Sequence, residues 1–389
     1  MKREKNIIIL TGNKYPEGDA GALRQHTMGK MFHSLGYNVM VYGMGNTTSG
    51  AIKMMDGISY RSMRNSRHNI IGRFVDRATW GNKAVEDIKK RFDSIDAILI
   101  VDDNPILFKK VERLADRYKC RLIHDCVEWY SPEEYKTGKY NIQYLLKNYI
   151  NTHAISEKWS VIAISTYLYN WFKNRAQKVV LIPVILDMSH EEQNTHIVED
   201  RDRILFVYAG APGKKDYLKE LIKGFSLLNE QQKQKIVLHV IGATNEQLIN
   251  QCDVDKMDIQ SLGESLRVHG RVPHEEAVEW VSKANYTLLL RNSNLRYAKA
   301  GFPTKIVESL KYGTPPMCNL SSDLSDYLED LKNALIIEDC TAESVKEAAE
   351  KAISISVDEY ARMRKNARET AIDKLDYHKY IKTLGSLLQ

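Results

Sequence analysis

Residues 203–225 read RILFVYAGAPGKKDYLKELIKGF. The apolar, β-rich run RILFVYAG (203–210) ends at Gly210. Gly210 and Gly213 bracket a tight turn, and Leu218, Leu221, Ile222 and Phe225 then recur at helical spacing. A strand with no polar alternation is buried on both faces, so this strand–turn–helix unit belongs to a parallel sheet covered by helices. The unit repeats downstream. KIVLHVIG (235–242), SLRVHG (265–270), YTLLLR (286–291), PPMCN (315–319) and ALIIE (334–338) are further strands with helical segments between them.

Upstream, DMSHEEQNTHIVEDRD (187–202) is polar and nearly free of large apolar residues, and reads as a linker. Before it the same alternation runs through NIIILTG (6–12), NVMVYG (38–43), DAILIVD (96–102), RLIHDC (121–126), VIAIS (161–165) and KVVLIP (178–183). The expectation is two doubly wound α/β domains, 1–186 and 203–371, joined by 187–202, facing each other across a crevice. Ligands of such sheets bind at the carboxyl ends of the strands, so the loops that follow them are where chemistry is sought.

Composition narrows the class. The 389 residues suffice for two full cores, and 43% hydrophobic with 27% charged residues is ordinary for a soluble protein. Five scattered cysteines with no Cys-x-x-Cys pair argue against a disulfide framework or a zinc site and fit a cytoplasmic address. A net charge of +6 is too weak to imply nucleic acid. The surplus is concentrated in residues 61–91, where Arg and Lys alternate with Ile, Phe and Trp. A solvated helix face is the favoured reading; contact with an anionic membrane surface or a lipid-phosphate acceptor is the alternative.

Four loops of the second half attract attention. In AGFPTKIVESLKYGTPP (300–316), Gly301 lets backbone approach a ligand, and Pro303 suits the first turn of a helix. The amides around Thr304 and Lys305 would then face a phosphate, and Glu308, one turn on, could accept from the two hydroxyls of a ribose. An ordinary capped helix with a surface glutamate fits the same residues. Lys214 and Lys215 stand at a helix start, where cations are unfavourable unless they serve an anion; solvated lysines are the plain alternative. HGRVPHEEA (269–277) places Arg271 beside a turn able to hold a base. Arg291 ends a strand ahead of the 301 turn and could neutralise a diphosphate. In the first half, Gly18 lies in a glycine-bearing loop that lacks the dinucleotide fingerprint, which counts against a nicotinamide enzyme. His124 and Asp125 end a strand, with Glu128 on the same edge; a strand-end histidine is more often packing than chemistry.

Taken in order and at their spacing, YAGAPGKKDYLKELIKGF, VHGRVPHEEAVEWVSKANYTLLLR, GFPTKIVESLKYGTPP, ISTYLYNWF and the IHD strand end resemble a GT-B glycosyltransferase of glycosyltransferase family 4, the kind that builds bacterial surface polysaccharides. The resemblance spans nearly the whole chain. It implies a nucleotide-sugar donor in the second domain, UDP-linked ahead of GDP-linked, and a glycan or lipid-linked acceptor in the first. It also implies retention of anomeric configuration, no metal and no further cofactor, and a last helix, from about 372, that returns to the first domain. By the same resemblance, Glu308 binds the ribose, and Gly301, Phe302, Pro303, Thr304 and Lys305 form the diphosphate cradle with Gly210 and Lys214. Lys215, supported by Arg291, neutralises the diphosphate. Arg271 and Val272 face the base, His124 touches the donor sugar, Gly18 approaches the phosphates or acceptor, and Asp125 and Glu128 meet sugar or acceptor. Two positions depart from the pattern. Ala300 stands where the family often has a glutamate, and Ala211 where it usually has an arginine. A catalytically silent binding partner and a nucleotide-sugar epimerase are the competing functions.

Overall fold

The computed structural model describes residues 4–16, 20–45, 50–63, 70–189, 203–211, 213 and 215–389, without the side chains of 70, 71, 73, 74 and 78. Gly18, Lys214 and most of the 187–202 linker lie outside the described residues. The chain divides into two compact units, Met1–Asp187 with Tyr377–Gln389, and Met188–Asp376.

The first unit holds an eight-stranded sheet of β1 (Asn6–Thr11), β2 (Asn38–Gly43), β3 (Lys53–Met55), β4 (Ile58–Ser62), β5 (Ala97–Val101), β6 (Arg121–Cys126), β7 (Trp159–Ala163) and β8 (Lys178–Leu181). Their order is β3-β4-β2-β1-β5-β6-β7-β8, parallel except for the β3–β4 hairpin. That hairpin was not expected from the strand runs. Its signal is the Asp56-Gly57 pair, both residues at positive φ (50° and 76°), which is what a two-residue hairpin turn demands. The central strands are apolar throughout because both faces are covered: Ile7, Ile8, Ile9 and Leu10 of β1 are all fully buried.

The second unit is a six-stranded parallel sheet: β9 (Ile204–Ala209), β10 (Ile236–Ile241), β11 (Leu266–Gly270), β12 (Tyr286–Leu289), β13 (Pro316–Cys318) and β14 (Leu335–Ile336), in the order β11-β10-β9-β12-β13-β14. The chain runs outward from β9 in one direction and then restarts at β12 in the other. The switch point therefore lies between the carboxyl ends of β9 and β12. In the first unit it lies between β1 and β5.

The helix Val357–Lys374 stays in the second unit, where it buries Tyr360, Met363, Ala367 and Ala371. The return to the first unit therefore begins at Tyr377, whose N–H donates to the Leu186 carbonyl at 3.1 Å. Tyr377, Leu384 and Leu387 then join the core built on Met28, Met31 and Phe32.

Candidate functional site

At the switch point of the second unit, β9 ends in Gly210, whose N–H donates to the Ile241 carbonyl at 2.9 Å. Gly242 follows β10 at φ +102°, and a side chain there would run into the Gly210 carbonyl. A side chain on Gly210 would in turn run into the Lys305 ammonium and the Tyr208 hydroxyl. Glycine is thus required at 242 by its φ and by backbone approach, whereas at 210 the missing side chain leaves room for the Lys305 ammonium.

The space left by Gly210 holds a charged group. The ammonium of Lys305 pairs with Asp216, lies 3.2 Å from the Tyr208 hydroxyl and stands 4.4 Å over the Tyr208 ring. Asp216, just ahead of the helix Leu218–Ser226, also takes the Nε of Arg291 at 2.8 Å and the Tyr208 hydroxyl at 2.8 Å. Arg291 is fixed in turn by Asn319, which accepts from its backbone N–H (2.9 Å) and donates to its carbonyl (2.7 Å). Burial works against ionising Asp216, but Lys305 and Arg291 outweigh it and hold the carboxyl well below the usual range. Two cations thus meet one carboxylate, which leaves positive charge at the strand ends.

The helix Thr304–Lys311 begins beside this cluster. Pro303 is its N-cap, one residue earlier than expected, and no side chain caps it, so its first amides are open to a ligand. The helix ends in a left-handed Gly313 (φ +65°), with Gly313 N–H bonded to Leu310 and Thr314 N–H to Ser309. Glu308 lies one turn in, half-buried, and no described residue donates a hydrogen bond to it. Burial pushes its carboxyl up, while His274, Lys305 and Lys311 pull it down. His274 opens the helix His274–Lys283 right after Arg271 and Val272, so the 271–274 turn and Glu308 face the same region. Arg271 is exposed, and Val272 packs half-buried against a cluster with Val207 and Ile241. Phe302 is buried edge-on against Tyr327 (5.3 Å), which braces the turn after Gly301. Lys215 is half-buried; its carbonyl accepts from the Tyr297 hydroxyl at 2.7 Å and its ammonium lies 5.9 Å from that ring.

The structure thus brings together Gly210, Lys305, Arg291 and the helix start. Sequence reasoning valued Lys305 for its amide; its side chain carries more. Asp216 and Tyr208 went unnoticed, because the partners of Asp216 are the distant Arg291 and Lys305 and not the neighbouring lysines.

The first-unit residues are placed differently. His124 is fully buried. Its Nδ1 faces the Ile100 carbonyl at 3.2 Å, its ring meets Phe108 edge-on at 5.2 Å, and its Nε2 has no partner among the described residues. Burial lowers its pKa to about 3, so it is neutral. The strand's alternation turns it into the core, and the structure does not bring it to the strand-end surface. Asp125 is also fully buried and commits both oxygens to Arg24, at 2.8 and 2.9 Å. Glu128 accepts from the Tyr130 hydroxyl at 2.5 Å. In the 61–91 stretch, Trp80 is buried in the core, and Arg61 and Arg91 both bond Asp87, so these members of the stretch serve the fold.

Asp102, missed by the sequence reading, sits at the carboxyl end of β5, at the first unit's switch point. Among the described residues only the Asn104 N–H donates to it, at 2.7 Å, and Gly12 opposite leaves room for its second oxygen. Burial, helped by Asp103, raises its pKa from 3.8 to about 6. A carboxyl that holds its proton more tightly when folded contributes stability that is complete below about 3.8 and is lost as pH rises through 6. Asp102→Asn should therefore stabilise the protein at pH 8 by about 3 kcal/mol and change little at pH 4. Denaturant melts at the two pH values measure this; equal effects at both would disprove the uncompensated charge.

Residues 189–370 match the family model described as Glycosyl transferases group 1. No curated protein matches the chain in sequence. Among solved structures, sucrose-phosphate synthase (tll1590) from Thermosynechococcus elongatus superposes with a TM-score of 0.73 at 12% identity, over 99% of this chain and 98% of that one. Anabaena Alr3699/HepE in complex with UDP and glucose gives 0.65 at 14%, over 98% and 99%. WaaG, a glycosyltransferase involved in lipopolysaccharide biosynthesis, gives 0.68 at 14%, again over 98% and 99%. At such identities the likeness speaks to the fold, and the two parallel-sheet units are those of the GT-B fold.

Proposed function

We propose that this protein is a retaining glycosyltransferase. It moves a hexose-type sugar from a nucleoside diphosphate sugar, UDP-linked in preference to GDP-linked, to a glycan or lipid-linked acceptor in surface polysaccharide synthesis. The observation that carries this reading is the Arg291–Lys305 pair at a strand switch point, beside an uncapped helix start, inside the segment that matches the group 1 model. Fixed cations and amides in a half-buried site are what a departing diphosphate needs.

In the reaction, the bond from the anomeric carbon to the phosphate oxygen breaks and a bond to the acceptor oxygen forms on the same face. The acceptor's proton passes to the departing phosphate oxygen, so no protein nucleophile is required. Arg291, Lys305 and Lys215 stabilise the charge that grows on the diphosphate, Glu308 holds the ribose, and the 271–272 turn faces the base. These cations fill the place a metal takes in other transferases, so turnover should survive chelation. Uridine is supported by the UDP complex of the Anabaena neighbour. A lipid-linked acceptor would bring the protein to the inner face of a membrane through residues 61–91, which co-sedimentation with anionic vesicles would check. No helix among the described residues is long and apolar enough to cross one.

Calorimetric titration should show UDP binding in preference to GDP. Glu308→Ala and Lys215→Ala should each weaken UDP binding about tenfold or more, the loss of a hydrogen bond to a charged group. Undiminished binding in both would end the donor-site assignment. Release of nucleoside diphosphate from a panel of UDP-sugars separates an enzyme from a silent binding partner, and the absence of an altered donor separates it from an epimerase.

A further inference from the structure

Arg291 and Lys305 converge on one place, and their like charges repel each other there. Lys305 is the vulnerable member, because an ammonium can lose its proton where a guanidinium cannot. Its surroundings are named groups. Asp216 stands before the helix Leu218–Ser226, Arg291 after β12, Tyr208 at the end of β9, and Glu308 on its own helix. Asp216 bonds Lys305, Arg291 and Tyr208 and is 7% exposed. No other carboxylate pairs with Lys305 among the described residues.

Resting on the donor reading above, we propose that Asp216 is a positioning residue: it keeps the Lys305 side chain charged and pinned against Gly210, so that an arriving diphosphate meets two cations instead of one. The balance is a fine one. Burial lowers the Lys305 pKa, and Arg291 lowers it further, while Asp216 is the main group opposing both. Remove that carboxylate and Lys305 is left half-buried beside a permanent cation, a setting that favours loss of its proton. The diphosphate itself would then have to supply the missing charge. Arg291 holds the Oδ1 of Asp216, while Lys305 and the Tyr208 hydroxyl both donate to Oδ2.

The test is UDP affinity by calorimetry between pH 7 and 9, where the charge of UDP's own terminal phosphate is largely settled. Asp216→Asn should bind within a few-fold of wild type at pH 7 and at least tenfold more weakly at pH 9. Asp216→Glu should follow wild type. In the Asp216→Asn, Lys305→Arg double variant the pH dependence should vanish, because arginine keeps its proton. A constant ratio of variant to wild type across the range would mean that Asp216 only braces the fold, and would overturn the proposal. Should Asp216→Asn fail to fold, proton uptake by the wild type decides the matter. UDP binding at pH 8, compared in buffers of different ionisation heat, should take up no proton; uptake of about half a proton or more means Lys305 was neutral and overturns it. A wild type that binds neither UDP nor inorganic pyrophosphate at pH 7 sinks the donor reading itself, whereas binding with a pH-independent variant sinks only the role of Asp216.

Discussion

Lys305→Ala should lower turnover of the nucleotide sugar about 10²- to 10³-fold, the usual loss when a preorganised group facing a developing negative charge is removed. The substitution is selective. Alanine keeps the backbone amide at the second position of the helix Thr304–Lys311, so the helix start and its dipole remain, and only the ammonium over the Tyr208 ring is lost. The released diphosphate carries more charge than the bound sugar nucleotide, so the loss should fall more on kcat than on KM. Gly210→Ala offers an independent route to the same end. Its methyl group would occupy the position of the ammonium and of no rigid backbone, so the lysine must swing away while the fold survives. Comparable losses in both variants, with unchanged melting, would locate the effect at the ammonium. Activity within twofold of wild type in Lys305→Ala would mean that the cluster of Lys305, Asp216 and Arg291 is structural.

The legibility of this chain follows the range of the interactions involved. The strands β1, β5, β9 and β12 could be read directly, since a parallel strand covered on both faces writes its burial into consecutive residues. The β3–β4 hairpin escaped because its strands are short, at a sheet edge and half-exposed, with only Asp56-Gly57 to announce it. The cradle at 301–305 was readable for the same local reason: glycine, proline and a helical period stand within a few residues. The Asp216–Arg291–Lys305 cluster was not, because its members are separated by about 75 and 89 positions and meet only when β9 and β12 lie side by side. His124 shows the opposite limit. Strand alternation gives neighbouring residues opposite faces, yet both faces of β6 are buried, so position at a strand end did not mean access.

The same strand carries the largest expected effect on stability. Arg24→Ala should cost the first unit about 3–5 kcal/mol. Arg24, on the helix Ala20–Ser34, is 5% exposed and spends its whole guanidinium on the interior. It grips Asp125 with Nε and Nη2 (2.9 and 2.8 Å), and donates to the carbonyls of Pro183 and Ile182 at 2.6 and 3.0 Å. One side chain therefore ties the first helix, β6 and the chain leaving β8 together. Removing it strands a fully buried carboxylate and two carbonyls at once. Replacing both partners by apolar residues of similar size, as in Arg24→Met with Asp125→Leu, should recover much of the Asp125 share of the loss, because the cost lies in the unpaired charge more than in the pair. The carbonyls of residues 182 and 183 would stay unsatisfied, so recovery should be partial. Four of the five tryptophans, Trp80, Trp129, Trp159 and Trp171, lie in the first unit, so urea unfolding followed by tryptophan fluorescence reports mainly on it. A single variant as stable as wild type would show that water reaches this pair, and that the link between helix and strand is carried by apolar packing alone.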